Sequence, residues 1–161
     1  MRFLGNIEAK IDAKGRSFLP AVFRKVLQTA GEEHLVLRKD VFQPCLVLYP
    51  ETVWDTQMDA LRNRLSRWNK CEQAIFRTFV SDVELIALDG NGRFLIPKRY
   101  LKMTGIMQAV KFIGMGDTIE IWPADGDNAG SMTPEEFGAA LEQLMGGHDT
   151  TNDTQENEEA Q

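Results

Sequence analysis

Cysteine and histidine are nearly absent: Cys45, Cys71, His34 and His148 are all that the chain has. A structural zinc site needs four such ligands close together, and these four are scattered singly, with no C-x-x-C or Cys/His cluster. Their scarcity excludes a disulfide scaffold and predicts reduced thiols that are buried or incidental. Long apolar runs are missing too, and no uncharged stretch approaches the length needed to span a bilayer. Met1-Arg2-Phe3-Leu4-Gly5-Asn6-Ile7-Glu8 lacks the continuous apolar segment of a signal peptide, so the sequence predicts a cytoplasmic protein without a membrane partner. Catalytic patterns are lacking as well: there is no G-x-S-x-G, H-E-x-x-H, P-loop or Cys/His pairing. The sequence therefore predicts a non-enzyme with no cofactor, no metal and no small-molecule substrate.

What is present is unevenly spread. The net charge is −6, yet all 18 Lys and Arg lie within residues 1–124 beside 14 of the 24 acids. Residues 125–161 hold the other ten acids and no Lys or Arg. A basic body with an acidic tail suits a nucleic-acid partner better than the sum implies. Hydrophobic residues make up 43%, enough for a packed core.

An internal repeat organises the body. Asp12-Ala13-Lys14-Gly15-Arg16-Ser17-Phe18-Leu19-Pro20 aligns with Asp89-Gly90-Asn91-Gly92-Arg93-Phe94-Leu95-Ile96-Pro97 at an offset of 77, giving D-x-x-G-R-x-x-(L/I)-P twice. Before the first copy, Phe3, Gly5, Ile7, Ala9 and Ile11 alternate with mostly polar residues as in a half-buried strand. Val83, Leu85 and Ala87 are read the same way before the second. Each motif leads into a short helix whose first position the proline is suited to fill, over residues 20–28 with Gly31 beyond and residues 97–103 with Gly105 beyond. Leu35-Val36-Leu37 and Cys45-Leu46-Val47-Leu48-Tyr49-Pro50 then answer Val110-Lys111-Phe112-Ile113 and Thr118-Ile119-Glu120-Ile121-Trp122-Pro123 as strands. Each unit reads β-turn-β-α-β-β over about 45 residues, too few to bury a good core alone. The two are expected to complete each other.

The expected organisation is unit one over residues 1–50, a helical linker over 51–80, unit two over 81–124, a C-terminal helix over 125–147 and a disordered acidic tail over 148–161. In the linker, Trp54, Met58, Leu61, Leu65 and Trp68 form one apolar stripe of a helix. Asn69 with Glu72 resembles a capping box opening a second helix to about Val80, with Ile75, Phe76 and Phe79 buried. Thr133-Pro134-Glu135-Glu136 opens the last helix, which Gly146-Gly147 should end.

Asp12 to Arg16 reads as the tip of a strand-turn-strand element. Gly15 and Gly92 tolerate positive φ, and Asp12 and Asp89 can accept N–H bonds across the turn. A two-stranded ribbon fits the major groove, where Arg16 could donate bidentately to guanine while Lys14 meets a phosphate as a point charge. The same residues fit an architectural role in which Asp12 and Arg16 simply pin the turn. Gly90-Asn91-Gly92 is a turn rather than a dinucleotide loop. Arg62, Arg64, Arg67, Lys70 and Arg77 read as a solvated helix face, with a DNA-facing strip as the alternative.

Residues 1–145 resemble the MraZ family of bacterial regulators. The likeness is carried by the doubled motif, by Cys45-Leu46-Val47-Leu48-Tyr49-Pro50 with Trp54, by Ala87-Leu88-Asp89 running into the second motif, and by Glu120-Ile121-Trp122. It implies an α+β, mainly β fold of two tandem AbrB/SpoVT-type swapped-hairpin units forming an intrachain pseudo-dimer joined by helices. It also implies a nucleoid-associated, ring-like homo-oligomer that binds double-stranded DNA at promoter-proximal repeats ahead of the division and cell-wall gene cluster. Carried over by position, the DNA-reading groups are Arg16 and Arg93 with Lys14 alongside. Asn91 stands where the first copy has Lys14, which weakens the case for an equal second copy. Two other readings stay open: a protein-interaction ring in which the turns are architectural, and an antitoxin-like partner binder.

Overall fold

The computed structural model describes residues 1–125 and 131–159, residues 148–159 through the backbone alone. The chain forms two compact units, Met1–Asp127 and Asn128–Gln161. Both copies of the repeat lie in the first, as one body.

Their strands and helices follow the same order. Copy one supplies β1 (Asn6–Lys10), β2 (Arg16–Phe18), α1 (Ala21–Ala30), β3 (Leu35–Lys39) and β4 (Leu46–Pro50). The linker is α2 (Glu51–Arg64) and α3 (Lys70–Ser81). Copy two supplies β5 (Glu84–Ile86), β6 (Arg93–Leu95), α4 (Lys98–Thr104), β7 (Ala109–Gly114) and β8 (Ile119–Pro123). The prolines cap the helices rather than occupying their first turn: Pro20 at φ −51°, ψ 137° and Pro97 at φ −56°, ψ 144° are extended. Left-handed Gly31 and Gly105 end them.

All strand pairs in the two sheets are antiparallel, and the fold class is α+β. The larger sheet runs β1-β7-β8-β4-β3-β5 and the smaller is β2-β6. Exchanging the two copies (β1 for β5, β3 for β7, β4 for β8) turns that order into its own reverse, so a pseudo-two-fold axis passes between β8 and β4. The copies are thus interleaved. β1 pairs only with β7, setting Ile7 opposite Phe112 and Ala9 opposite Val110, while β5 pairs with β3. β2 pairs with β6 across the axis, with Ser17 opposite Phe94 at its centre.

This arrangement agrees with the swapped-hairpin units that the resemblance implies, and corrects only the local reading of Asp12 to Arg16 as a strand that turns back on itself. A single isolated bridge joins Ile11, just past β1, to Ser17 of β2, and both strands ladder with the other copy. A hairpin would leave the apolar inward face of each short strand half covered. Crossing over lets Phe3, Leu19 and Phe23 of copy one join Phe94, Ile96, Tyr100 and Phe112 of copy two in a single core. The phase of β5 also differs from expectation: Ile86 is buried while Leu85 is 82% exposed and Ala87 is exposed. The inward positions are the ones the repeat offset assigns, since Ile7, Ala9 and Ile11 correspond to Glu84, Ile86 and Leu88. A one-residue slip exchanges the two faces of a strand.

On the other face of β3 and β4, Val36, Val47, Tyr49 and Trp54 form a second cluster, packed by Val53, Phe79 and Val83. Trp54 stacks on Phe79 at 5.0 Å, tying α2 to α3. The linker stripe is shorter than expected. α2 ends at Arg64, Leu65 leaves it in an extended conformation, and Trp68 is 97% exposed. Asn69 does cap α3, its side chain accepting from the Glu72 N–H, but Ile75 is exposed and Phe76 and Phe79 are half-buried. α3 buries one edge rather than a full face. In the second unit α5 (Pro134–Glu159) passes through Gly146-Gly147, where an end was expected, and continues into residues assigned to a disordered tail. Residues 160–161 of that tail lie outside the described residues. No helix among the described residues is long and apolar enough to cross a membrane.

The two thiols report on this packing. Cys45 is fully buried, and burial, with Glu120 and Asp40 nearby, pushes its thiol up to about 12. Cys71 is exposed on α3. An alkylating reagent at pH 8 is expected to modify one thiol per native chain, Cys71, and both after denaturation. Rapid native modification of Cys45 would contradict the packing around β4.

Candidate nucleic-acid interface

The two D-x-x-G-R segments fold into matching turns. In the first, Asp12 Oδ1 accepts from the N–H of Lys14 at 3.0 Å and of Arg16 at 2.9 Å, while Oδ2 accepts from Arg16 Nε at 2.8 Å. In the second, Asp89 Oδ1 accepts from the N–H of Asn91 and Arg93, both at 2.9 Å, and Oδ2 from Arg93 Nε at 2.9 Å. The short Asp side chain satisfies N–H groups that a tight turn leaves without backbone partners. Both carboxyls are held below their ordinary value of 3.8, first by the N–H of the following arginine.

Each turn is also fastened to the opposite copy. Ile96 N–H donates to Gly15 O at 2.9 Å, and Leu19 N–H to Gly92 O at 2.9 Å. Gly15 and Gly92 have φ +89° and +80°. A Cβ on Gly15 would lie 2.9 Å from Ile96 O, whereas one on Gly92 would meet the side chain of Arg24. Positive φ favours glycine at both places, and at Gly15 the close backbone carbonyl of Ile96 requires it as well.

The ribbon between the turns has a definite outward face. Register sets Arg16 opposite Leu95 and Arg93 opposite Phe18, with Ser17 and Phe94 buried between them. Four side chains therefore share the outer surface: Arg16, Phe18, Arg93 and Leu95. Phe18 is 54% and Leu95 52% exposed. The arginine side chains remain 35% and 28% exposed while their Nε groups are held. The Arg93 guanidinium lies 5.8 Å from the centre of the Phe18 ring.

Of the residues singled out in the sequence, Arg16 and Arg93 are brought onto one face, each braced by its aspartate. Lys14 sits at the first turn beside that face and is exposed. Phe18 and Leu95 were not foreseen as surface residues; the inverted alternation Arg-Ser-Phe and Arg-Phe-Leu carried the signal, given the pairing. Arg24 was also missed: its Nη1 donates to Asn91 O at 3.1 Å and supports the second turn from α1. Arg62 lies over the Phe76 ring at 4.5 Å, bridging α2 and α3. Among the described residues no group of three or more His, Cys, Asp and Glu could hold a metal ion.

Comparison with known proteins bears on what such a face does. A family model described as "MraZ protein, putative antitoxin-like" matches residues 2–78 and 79–126. A Phocaeicola vulgatus protein named Transcriptional regulator MraZ is 66% identical over 146 residues, covering 91% of this chain and 95% of its own. Its namesake from Bacteroides thetaiotaomicron is 58% identical over 145 residues, covering 90% and 93%. One from Pseudomonas savastanoi pv. phaseolicola is 30% identical over 127 residues, covering 79% and 83%.

Two predictions follow from the turns themselves. Gly15→Ala is expected to destabilise by more than about 1 kcal/mol in urea unfolding, because alanine resists positive φ, and more than Gly92→Ala, whose obstacle is a side chain able to swing aside. Because the aspartate carboxyls are lowered on folding, the stability they supply is complete above the unfolded-chain value and lost as pH falls through the lower folded value. Their contribution should be constant from pH 7 to 5, begin to fall near pH 4 and vanish only below the lowered folded values. Comparing wild type with the Asp12→Asn/Asp89→Asn variant isolates that acid limb.

Proposed function

The chain belongs to the MraZ family, and on that premise we propose that it is a sequence-specific, non-catalytic DNA-binding regulator of transcription whose base-reading groups are Arg16 and Arg93. The relatives' name supports the regulatory role. The observation that carries the chemistry is the pair of braced arginines on one ribbon face. A guanidinium has five N–H donors. Holding Nε against a carboxylate spends one and orients the rest, which lowers the ordering cost of bidentate donation to guanine O6 and N7. Lys14, exposed and without a carboxylate partner among the described residues, suits a phosphate oxygen.

One ribbon three residue pairs long makes few base contacts. Useful affinity then calls for several ribbons acting together, since linked sites raise the effective concentration of each. We assign the protein accordingly to a ring-like homo-oligomer on promoter-proximal repeats of the division and cell-wall gene cluster.

A second reading has its own observation: each aspartate already satisfies two N–H groups and its arginine, so the turns are complete as architecture. Arg16→Ala separates the two. Base reading predicts a loss of ~1–3 kcal/mol per site on the duplex upstream of the protein's own gene, little change on random DNA, and an unchanged melting temperature. A purely architectural arginine predicts lowered melting with proportionate loss on every duplex. Arg93→Ala should show the smaller effect, because its turn carries Asn91 in place of Lys14.

A further inference from the structure

A groove of about 620 Å³ runs beside the first turn, and three lysines line it. Lys10 comes from the end of β1, Lys14 from the turn and Lys98 from the first residue of α4, so two copies of the repeat build one basic site. All three are exposed, and among the described residues none is paired with a carboxylate. The one acid in the groove wall, Asp12, is already occupied by Arg16. The positions related by the repeat offset are Ala87, Asn91 and Ala21. The smaller cavity beside Ala87, about 300 Å³, is lined by Glu51 and by no lysine. Besides Arg93, Arg24 stands at the second turn, its Nη1 donating to Asn91 O, where the first side has Leu101. The two sides of a nearly symmetric ribbon therefore differ by two positive charges, three lysines on the first against one arginine on the second.

Resting on the DNA-binding reading above, we infer that Lys10, Lys14 and Lys98 form a phosphate clamp for one DNA backbone strand, present on the first-turn side only. Two like arginines alone would let the body lie on a duplex in either of two opposed orientations. The clamp selects one of them. It requires the phosphates of a double helix, because three point charges spread over three elements match a charged backbone running along the groove and supply no base readout.

The test has two arms, with Lys10→Ala/Lys98→Ala as the variant; both positions are exposed and unpaired, and unchanged melting checks the fold. In the first arm, affinity for a random-sequence duplex is measured against salt. Each lost phosphate contact should lower the slope of log affinity on log salt by about 0.9, so the variant's slope should fall by about 1.8. An unchanged slope overturns the clamp. In the second, ethylation of individual phosphates is mapped for interference on a duplex carrying the segment upstream of the protein's own gene. Wild type should show interference on one flank of the site, the variant should lose it, and Ala21→Lys/Ala87→Lys should add interference on the opposite flank. Equal interference on both flanks by wild type overturns the polarity. Wild type that binds upstream and random duplexes alike overturns the sequence-reading proposal instead, and the salt slope still decides the clamp.

Discussion

Strand exchange is the constraint on which the rest of the first unit depends. β1 finds its ladder on β7, β2 and β6 on each other and β5 on β3, so four of the eight strands have their only ladders in the other copy. Neither copy can then fold to completion and dock afterwards. The core has the same property: the edge-to-face contacts of Phe3 with Phe23 and of Phe94 with Phe112 belong to one cluster drawn from both halves. Tyr100, buried on α4 of copy two, donates to Asp82 O at 2.9 Å and so anchors that helix to the end of the linker. The linker packs on the outer face of β3 and β4, where Val36, Val47 and Tyr49 are buried beside Trp54, whereas the outer positions of β7 and β8 include Lys111 and Glu120.

The turns inherit their geometry from that exchange. Gly15 O accepts from Ile96, and Gly92 O from Leu19, so neither arginine is in position until both copies are. The Asp12–Arg16 pair is exposed, so solvent screens it and it adds little stability; its chief effect here is orientation. Brace and ligand contact are compatible roles for one guanidinium, as the carboxylate meets Nε.

Much of this was legible in the sequence, and the failures have physical causes. The repeat was visible because a tight turn demands Asp and Gly at set places, and its offset carried the correct inward phase of β5 through Ile86. Local alternation alone chose Leu85, because a three-residue edge strand has too few positions to fix a period. The exchange of β2 left no local trace: a strand that crosses over has the composition of one that turns back. The sequence overstates the burial of α3 because Ile75, Phe76 and Phe79 are all apolar, although Ile75 is exposed and the two phenylalanines are half-buried. Gly146-Gly147 misled for a related reason, since helix propensity is a weak prior and two glycines lower it without forbidding a helix.

Ser17 and Phe94 face each other at the centre of the β2–β6 ribbon, both almost wholly buried. Were the two copies separate identical chains, the residue at that point would meet its own twin, and a bulky side chain would have to find room for itself twice over. Joining the copies in one polypeptide removes that restriction. A small hydroxyl and a large ring can fill the space together, and the two halves of the body are free to acquire unlike surfaces without disturbing the centre they share.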